Sequence, residues 1–218
     1  MPTVVHGPFN TSGTDTAPSG TTSVTIQLWG AGGGGARDTA GNVGSSGGSG
    51  PYITQTVACT PGTVFTHTIV VGGLGRTGTD GPGAPALAAT TCTGTVTSGT
   101  IALSCAAGPG GPILGTAPTA AVATSTGTAT PAAVATIGNV YAGTVNSNGP
   151  GAPNGGGDQT TAGGVGTTPG GGGAAWQNTS AGNGGNGAPG QVTYIYTVST
   201  GGNNIALMYY QSNRLIAI

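Results

Sequence analysis

The sequence predicts a mainly irregular, all-β protein: a bundle of polyglycine-II helices framed by short antiparallel β-strands, with no significant α-helix. Three observations lead there. Glycine supplies 48 of the 218 residues and falls in separated clusters such as Gly32 to Gly35, Gly155 to Gly157 and Gly170 to Gly173. Segments beside those clusters alternate apolar and polar residues, as half-buried strands do. The charge is very low, with three arginines, four aspartates and neither lysine nor glutamate. Ordering glycine costs roughly 0.5–1 kcal/mol more than ordering alanine, so such a chain is either disordered or folded in a way that uses glycine. Disordered chains usually stay soluble through net charge. Here no charge occurs between Asp80 and Asp158, and so long a neutral segment would be exposed to aggregation if it stayed unfolded. The chain is read as folded.

Taken in order, residues 1–22 are rich in Thr, Ser, Pro and Gly and read as an extended N-terminal arm, with Val4, Val5 and Phe9 as its large apolar groups. Val24, Ile26 and Leu28 alternate with polar neighbours and make residues 23–29 a strand. A strand pair follows, 52–59 and 64–71, joined by Thr60-Pro61-Gly62-Thr63; proline at the second position and glycine at the third suit a type II turn. Residues 92–105 read as a hairpin about a Ser98-Gly99 turn. In that register Cys92 faces Cys105 within disulfide reach. A disulfide and two buried free thiols both remain open, because synthesis in the cytosol disfavours oxidation. Cys59 is left over and reads as a small apolar core residue. Val192, Tyr194 and Tyr196 mark a last strand at 191–198, closing a glycine-rich domain at 23–198.

The tail, 199–218, holds Ile205, Leu207, Met208, Tyr209, Tyr210, Leu215 and Ile216. It reads either as an apolar hairpin docking to another protein or a sister subunit, or as a strand pair finishing the domain's own core.

Between the strands lie the glycine clusters, 30–35, 44–50, 72–83, 108–115, 149–157, 163–173 and 182–190. None keeps a Gly-X-Y register, which excludes a collagen triple helix. Extended helices with three residues per turn make no internal hydrogen bonds, so their N–H and C=O groups point outward. Glycine lets neighbouring helices approach until those groups bond one another. At about 0.5–1.5 kcal/mol net each, such bonds offset the entropy of ordering glycine.

Three motifs in order carry a resemblance: Val24-Thr-Ile-Gln-Leu-Trp29-Gly-Ala-Gly-Gly-Gly-Gly35; Val57-Ala-Cys-Thr-Pro61-Gly62-Thr63-Val-Phe65 running to Val71-Gly72-Gly73; and Gly184-Gly-Asn-Gly187-Ala-Pro-Gly190-Gln-Val192-Thr-Tyr194-Ile-Tyr196. Together they resemble the glycine-rich domain of tailed-phage fibre and tail-tip proteins. That domain is similar to the glycine-rich adhesins capping the long tail fibres of some T-even-like phages. The resemblance spans roughly residues 23–198 and implies a sandwich of polyglycine-II helices with variable loops at one end that contact the host surface. The segment from Ala84 to Asn148, poor in glycine, and the tail from Gly201 depart from that pattern.

Catalysis finds little material, and the expectation is no enzymatic activity, no cofactor and no metal. Gly30-x-Gly32-x-x-Gly35 formally matches a dinucleotide fingerprint, but Ala36-Arg37-Asp38-Thr39 opens no helix and no acidic residue follows at the required distance. His6 and His67 lack ligand-spaced neighbours, and Asp15, Asp38, Asp80 and Asp158 sit in turn-like surroundings. Three arginines give no electrostatic footprint for nucleic acid, and no apolar segment suits a signal peptide or membrane insertion.

Recognition is better supplied. Tyr141 lies among small polar residues, and Trp176, Gln177 and Asn178 place a rigid aromatic beside two amides, a combination suited to sugars or protein loops. Each aromatic has a structural alternative, Trp176 plugging a seam between helices and Tyr141 covering the core. The leading expectation is a non-enzymatic phage virion protein, a fibre or tail-tip adhesin for a bacterial surface receptor, protein or glycan, made in the host cytoplasm and released by lysis. The alternative is a purely structural virion component binding only other virion proteins. An ice-binding polyglycine-II protein is a third reading. Working singly and working as a homotrimer are both open.

Overall fold

Strict alternation of apolar and polar side chains at Val24, Ile26 and Leu28 places all three fully out of water, and strands of this kind close a sandwich of two antiparallel sheets in a computed structural model of the chain. The structure describes residues 1–39, 44–113, 117–140, 149–156, 162–177 and 182–199. In chain order the strands are β1 (Thr3–Phe9), β2 (Gly13–Thr16), β3 (Thr21–Trp29), β4 (Arg37–Asp38), β5 (Tyr52–Ala58) and β6 (Val64–Thr68). They continue with β7 (Thr90–Val96), β8 (Gly99–Cys105), β9 (Ala123–Ser125), β10 (Val134–Thr136), β11 (Trp176–Gln177) and β12 (Gln191–Val198). One five-stranded sheet has the order β1-β12-β3-β5-β10 and the other β2-β6-β7-β8-β9, while β4 and β11 form a small parallel pair. No helix occurs among the described residues.

The core fills the space between the sheets. Ile26, Leu28, Ile53 and Val57 from one meet Phe65, Cys92, Ile101 and Leu103 from the other, with Tyr194 and Tyr196 stacked at 6.2 Å between their ring centres. Each large aliphatic or aromatic side chain fully buried in this way contributes about 1.5–3 kcal/mol. The 60–63 connection has the expected type II features, with Gly62 at φ 80° and a Thr63 N–H to Thr60 C=O bond of 3.2 Å.

The hairpin of β7 and β8 departs from expectation. Its two-residue turn is Thr97-Ser98, not Ser98-Gly99, so Val96 faces Gly99, Cys92 faces Leu103 and Cys105 faces Thr90. Cys92 and Cys105 are therefore offset along the ladder, and both are free thiols, as is Cys59. The expected and observed registers turn the same side chains inward, so alternation cannot choose between them. The turn chooses: Gly99, at φ 137°, opens β8 against Thr128 and Ala129, where a Cβ would collide. Burial pushes both thiols up to about 12.

Residues 1–22, expected to be an extended arm, supply edge strands to both sheets, β1 beside β12 and β2 beside β6. Asp15 on β2 accepts hydrogen bonds from Tyr196 Oη at 2.6 Å and His6 Nδ1 at 2.9 Å, which ties the two sheets together at this margin. Phe9 packs 5.0 Å from the His67 ring, and His67 Nδ1 shares a 3.0 Å hydrogen bond with the Tyr194 hydroxyl inside the core.

The two poles of the sandwich differ. Towards the Ala58 and Thr21 end, strands join through short turns such as 60–63 and 97–98, and Thr3 pairs with Thr197 there. Towards the Trp29, Tyr52 and Gln191 end, strands β3, β5, β6, β7, β8 and β12 run into the glycine clusters.

Candidate functional site: the glycine runs and the tip

Glycine-rich segments leave one pole as extended runs outside any strand, and their backbone groups bond between runs. Residues 31–36 lie at the centre. Gly32 and Gly35 donate to Ala188 and Gly185 at 2.9 and 2.8 Å, and Gly33 and Ala36 donate to Gly48 and Ser45 at 2.8 and 3.1 Å. Gly34 donates to Ala84 at 2.9 Å. In the other sense, Gly73 and Arg76 donate to the carbonyls of Gly32 and Gly35, Gly173 and Trp176 to those of Gly33 and Ala36, and Gly108 and Gly111 to those of Ala31 and Gly34. The partner run changes at each residue and returns at the third. At the glycine positions between Ala31 and Ala36 there is no room for a side chain. A Cβ on Gly33 would fall on the carbonyl oxygen of Pro109, and one on Gly34 on that of Leu74.

Solvent-facing positions repeat with the same period. Val71 and Leu74 are exposed on one outer run while Gly73 and Gly75 are buried, and Asn183 and Asn186 are exposed on another. Asn186 turns its side chain back, and its Oδ1 accepts the Gly75 N–H at 2.8 Å, satisfying a backbone donor at the margin of the runs.

The runs end, away from the sandwich, in a tip that gathers Arg37, Asp38, Arg76 and Asp80, most of the charged side chains in the chain. Arg37 exchanges both backbone hydrogen bonds with Gly81, at 3.0 and 2.9 Å, and pairs with Trp176 through β4 and β11. Its Nε donates to Gly182 C=O at 2.6 Å, its Nη1 donates to Gly78 C=O, and the same nitrogen lies 3.8 Å from Asp80. Thr39 Oγ1 lies 2.9 and 2.8 Å from the two Asp80 oxygens, and with the Thr39 backbone and Arg37 it holds that carboxyl below its usual range. Arg76 curls onto its own loop, with Nε to Thr79 C=O at 3.1 Å and Nη2 to Thr79 Oγ1 at 2.7 Å. The surface so formed is polar and hydrogen-bonding. Among the described residues no group of three or more metal-capable side chains gathers.

The sequence-based candidates divide. Trp176 is at the tip, half-buried, with its ring laid over Gly182 and against Gly163; a Cβ on Gly182 would enter the ring. Gln177 pairs with Asp38 through the backbone of β11. Tyr141 and Asn178 lie outside the described residues, as do Ile205, Leu207, Met208, Tyr209, Tyr210, Leu215 and Ile216. Cys92 and Cys105 belong to the core of the sandwich rather than the tip. Reading the chain for recognition chemistry missed Arg37, Arg76 and Asp80. The signal was present: 37–38 and 76–80 are where charge interrupts glycine, in a chain with almost no charge elsewhere.

No family model and no curated protein matches the chain.

Proposed function

We propose that the glycine runs form a polyglycine-II-type bundle standing on the sandwich, and that the chain is a non-enzymatic phage virion protein, a fibre or tail-tip adhesin presenting its tip to a bacterial surface receptor. The three-residue return of bonding partners around 31–36 supports the bundle, since a helix with three residues per turn presents its backbone groups with that period. One observation carries the functional reading: the two ends of the molecule are chemically different. Close-packed runs stand between the tip loops and the pole where β1 begins and β12 ends, which is how a rigid spacer would present recognition loops.

The second reading, a structural virion component, is favoured by Val71, Leu74 and Leu87, exposed at 68%, 67% and 89% on the flank of the runs. Purified chain decides between them. An adhesin competes with phage for cells in an adsorption assay; a structural component leaves adsorption unchanged and binds a capsid or tail protein. Within the adhesin reading, Trp176→Ala lowers competition at least tenfold with the unfolding temperature held within a few degrees. Unchanged competition, or loss of the fold, removes Trp176 from the recognition surface.

A further inference from the structure

We propose that Arg37 is a positioning residue that locks the 78–81 loop and the segment at Gly182 to strand β4, making one preformed surface for the partner. The inference rests on the adhesin reading for its purpose, and on the geometry of the tip for its mechanism. Three separate segments meet at this side chain. The first is β4 itself, the second is reached by the side chain at Gly78 and Asp80 and by the Arg37 backbone at Gly81, and the third is reached at Gly182. The Arg37 side chain is 11% exposed, so it works inside the tip and the partner meets the segments it holds.

Arginine is suited to this work. Its planar fork carries five N–H donors in fixed directions, enough to serve two carbonyls and a carboxylate at once, whereas an ammonium is a single point of charge. Glycine and threonine loops have high conformational freedom when unbound, so a surface made from them binds tightly only if that freedom is removed beforehand. Gly78, Thr79 and Asp80 lie on the loop with the most to lose, and every one is exposed. Scarcity sharpens the point: the chain has only three arginines, and this one is spent bonding loops to each other.

The test compares wild type, Arg37→Gln and Arg37→Lys by amide hydrogen exchange and by competition with phage for cells. Arg37→Gln is expected to raise exchange at Gly81 and Gly182 at least tenfold, to leave exchange in β3 and β12 unchanged, and to weaken competition about tenfold. Arg37→Lys, which keeps the charge and the methylene stem, is expected to loosen the same loops rather than rescue them. Unchanged exchange at the tip in both variants overturns the inference. So does unfolding of both, which would make Arg37 a residue of the fold. Loosened loops with full competition overturn the role in recognition. Failure of the wild type to compete sinks the adhesin reading instead, while the exchange data still decide what Arg37 holds.

Discussion

Gly33 shows what a single atom can decide in this chain. A Cβ there would fall on the carbonyl of Pro109, part of the backbone of a neighbouring run with no flexible end to move aside. Gly33→Ala is therefore expected to cost about 1–3 kcal/mol or more as the runs are forced apart. Gly13→Ala is the control, because its added methyl meets only the His67 ring at ordinary contact distance, 3.7 Å, and should change stability by less than about 0.5 kcal/mol. Equal effects in chemical denaturation would contradict the packing account. His67 offers a second residue-scale test. Burial lowers its pKa from 6.5, against the opposing pull of the Thr11 backbone and the Asp15 charge. The unfolded chain then binds a proton more readily than the native one, so the stability His67 contributes is present above pH 6.5 and is lost as the pH falls below it. The unfolding midpoint should decline on acidification through that window, and His67→Gln, which keeps an acceptor for Tyr194, should flatten the decline. A variant with the wild-type slope would assign the effect to another group.

Among the strands, legibility followed burial. β3, β5, β6 and β12 were readable because each has one face in the core and one in solvent, so the period of two is written in residue type. β1 and β2 were not, because they pack mainly by polar groups: His6, Asp15 and Tyr196 form the tie, and Val4 and Val5 of β1 are exposed. The three-residue strands β9 and β10 are mostly exposed Ala, Thr, Ser and Val, with no pattern to read. Deleting residues 1–16 separates an arm from an element of the sandwich. It removes an edge from each sheet and uncovers the Tyr194 and Tyr196 rings, so cooperative unfolding should be lost or its midpoint lowered by more than ten degrees. A truncated chain with a wild-type melting curve would restore the arm. The β7–β8 hairpin was legible as an element and not in its register, since both registers bury the same residues and the turn alone separates them.

For the molecule as a whole, the prediction concerns direction. Under the proposed adhesin function, a bulky fluorescent domain inserted between Gly78 and Thr79 should abolish competition with phage, whereas the same domain fused ahead of Met1, which sits at the opposite pole, should leave it intact. The reverse result would place the recognition surface at the pole of the sandwich. Composition and local pattern determined that the chain is all-β, that glycine is structural and that charge is nearly absent, because residue volume, periodicity and ionisable groups belong to each residue or its neighbours. Trp176 was legible in the same way as a recognition candidate, an aromatic among small polar groups, while its place at the tip was not. Only the tertiary structure decided which runs bond to which, that the first strands close both sheets, that Cys92 and Cys105 pass each other, and that Arg37 bonds Gly78 and Gly182 together. Backbone N–H and C=O groups are the same in every glycine, so a sequence of glycines says that runs can pack closely but cannot say against which partner. That choice is made by the strands, whose side chains differ and whose register sets where each run leaves the sandwich.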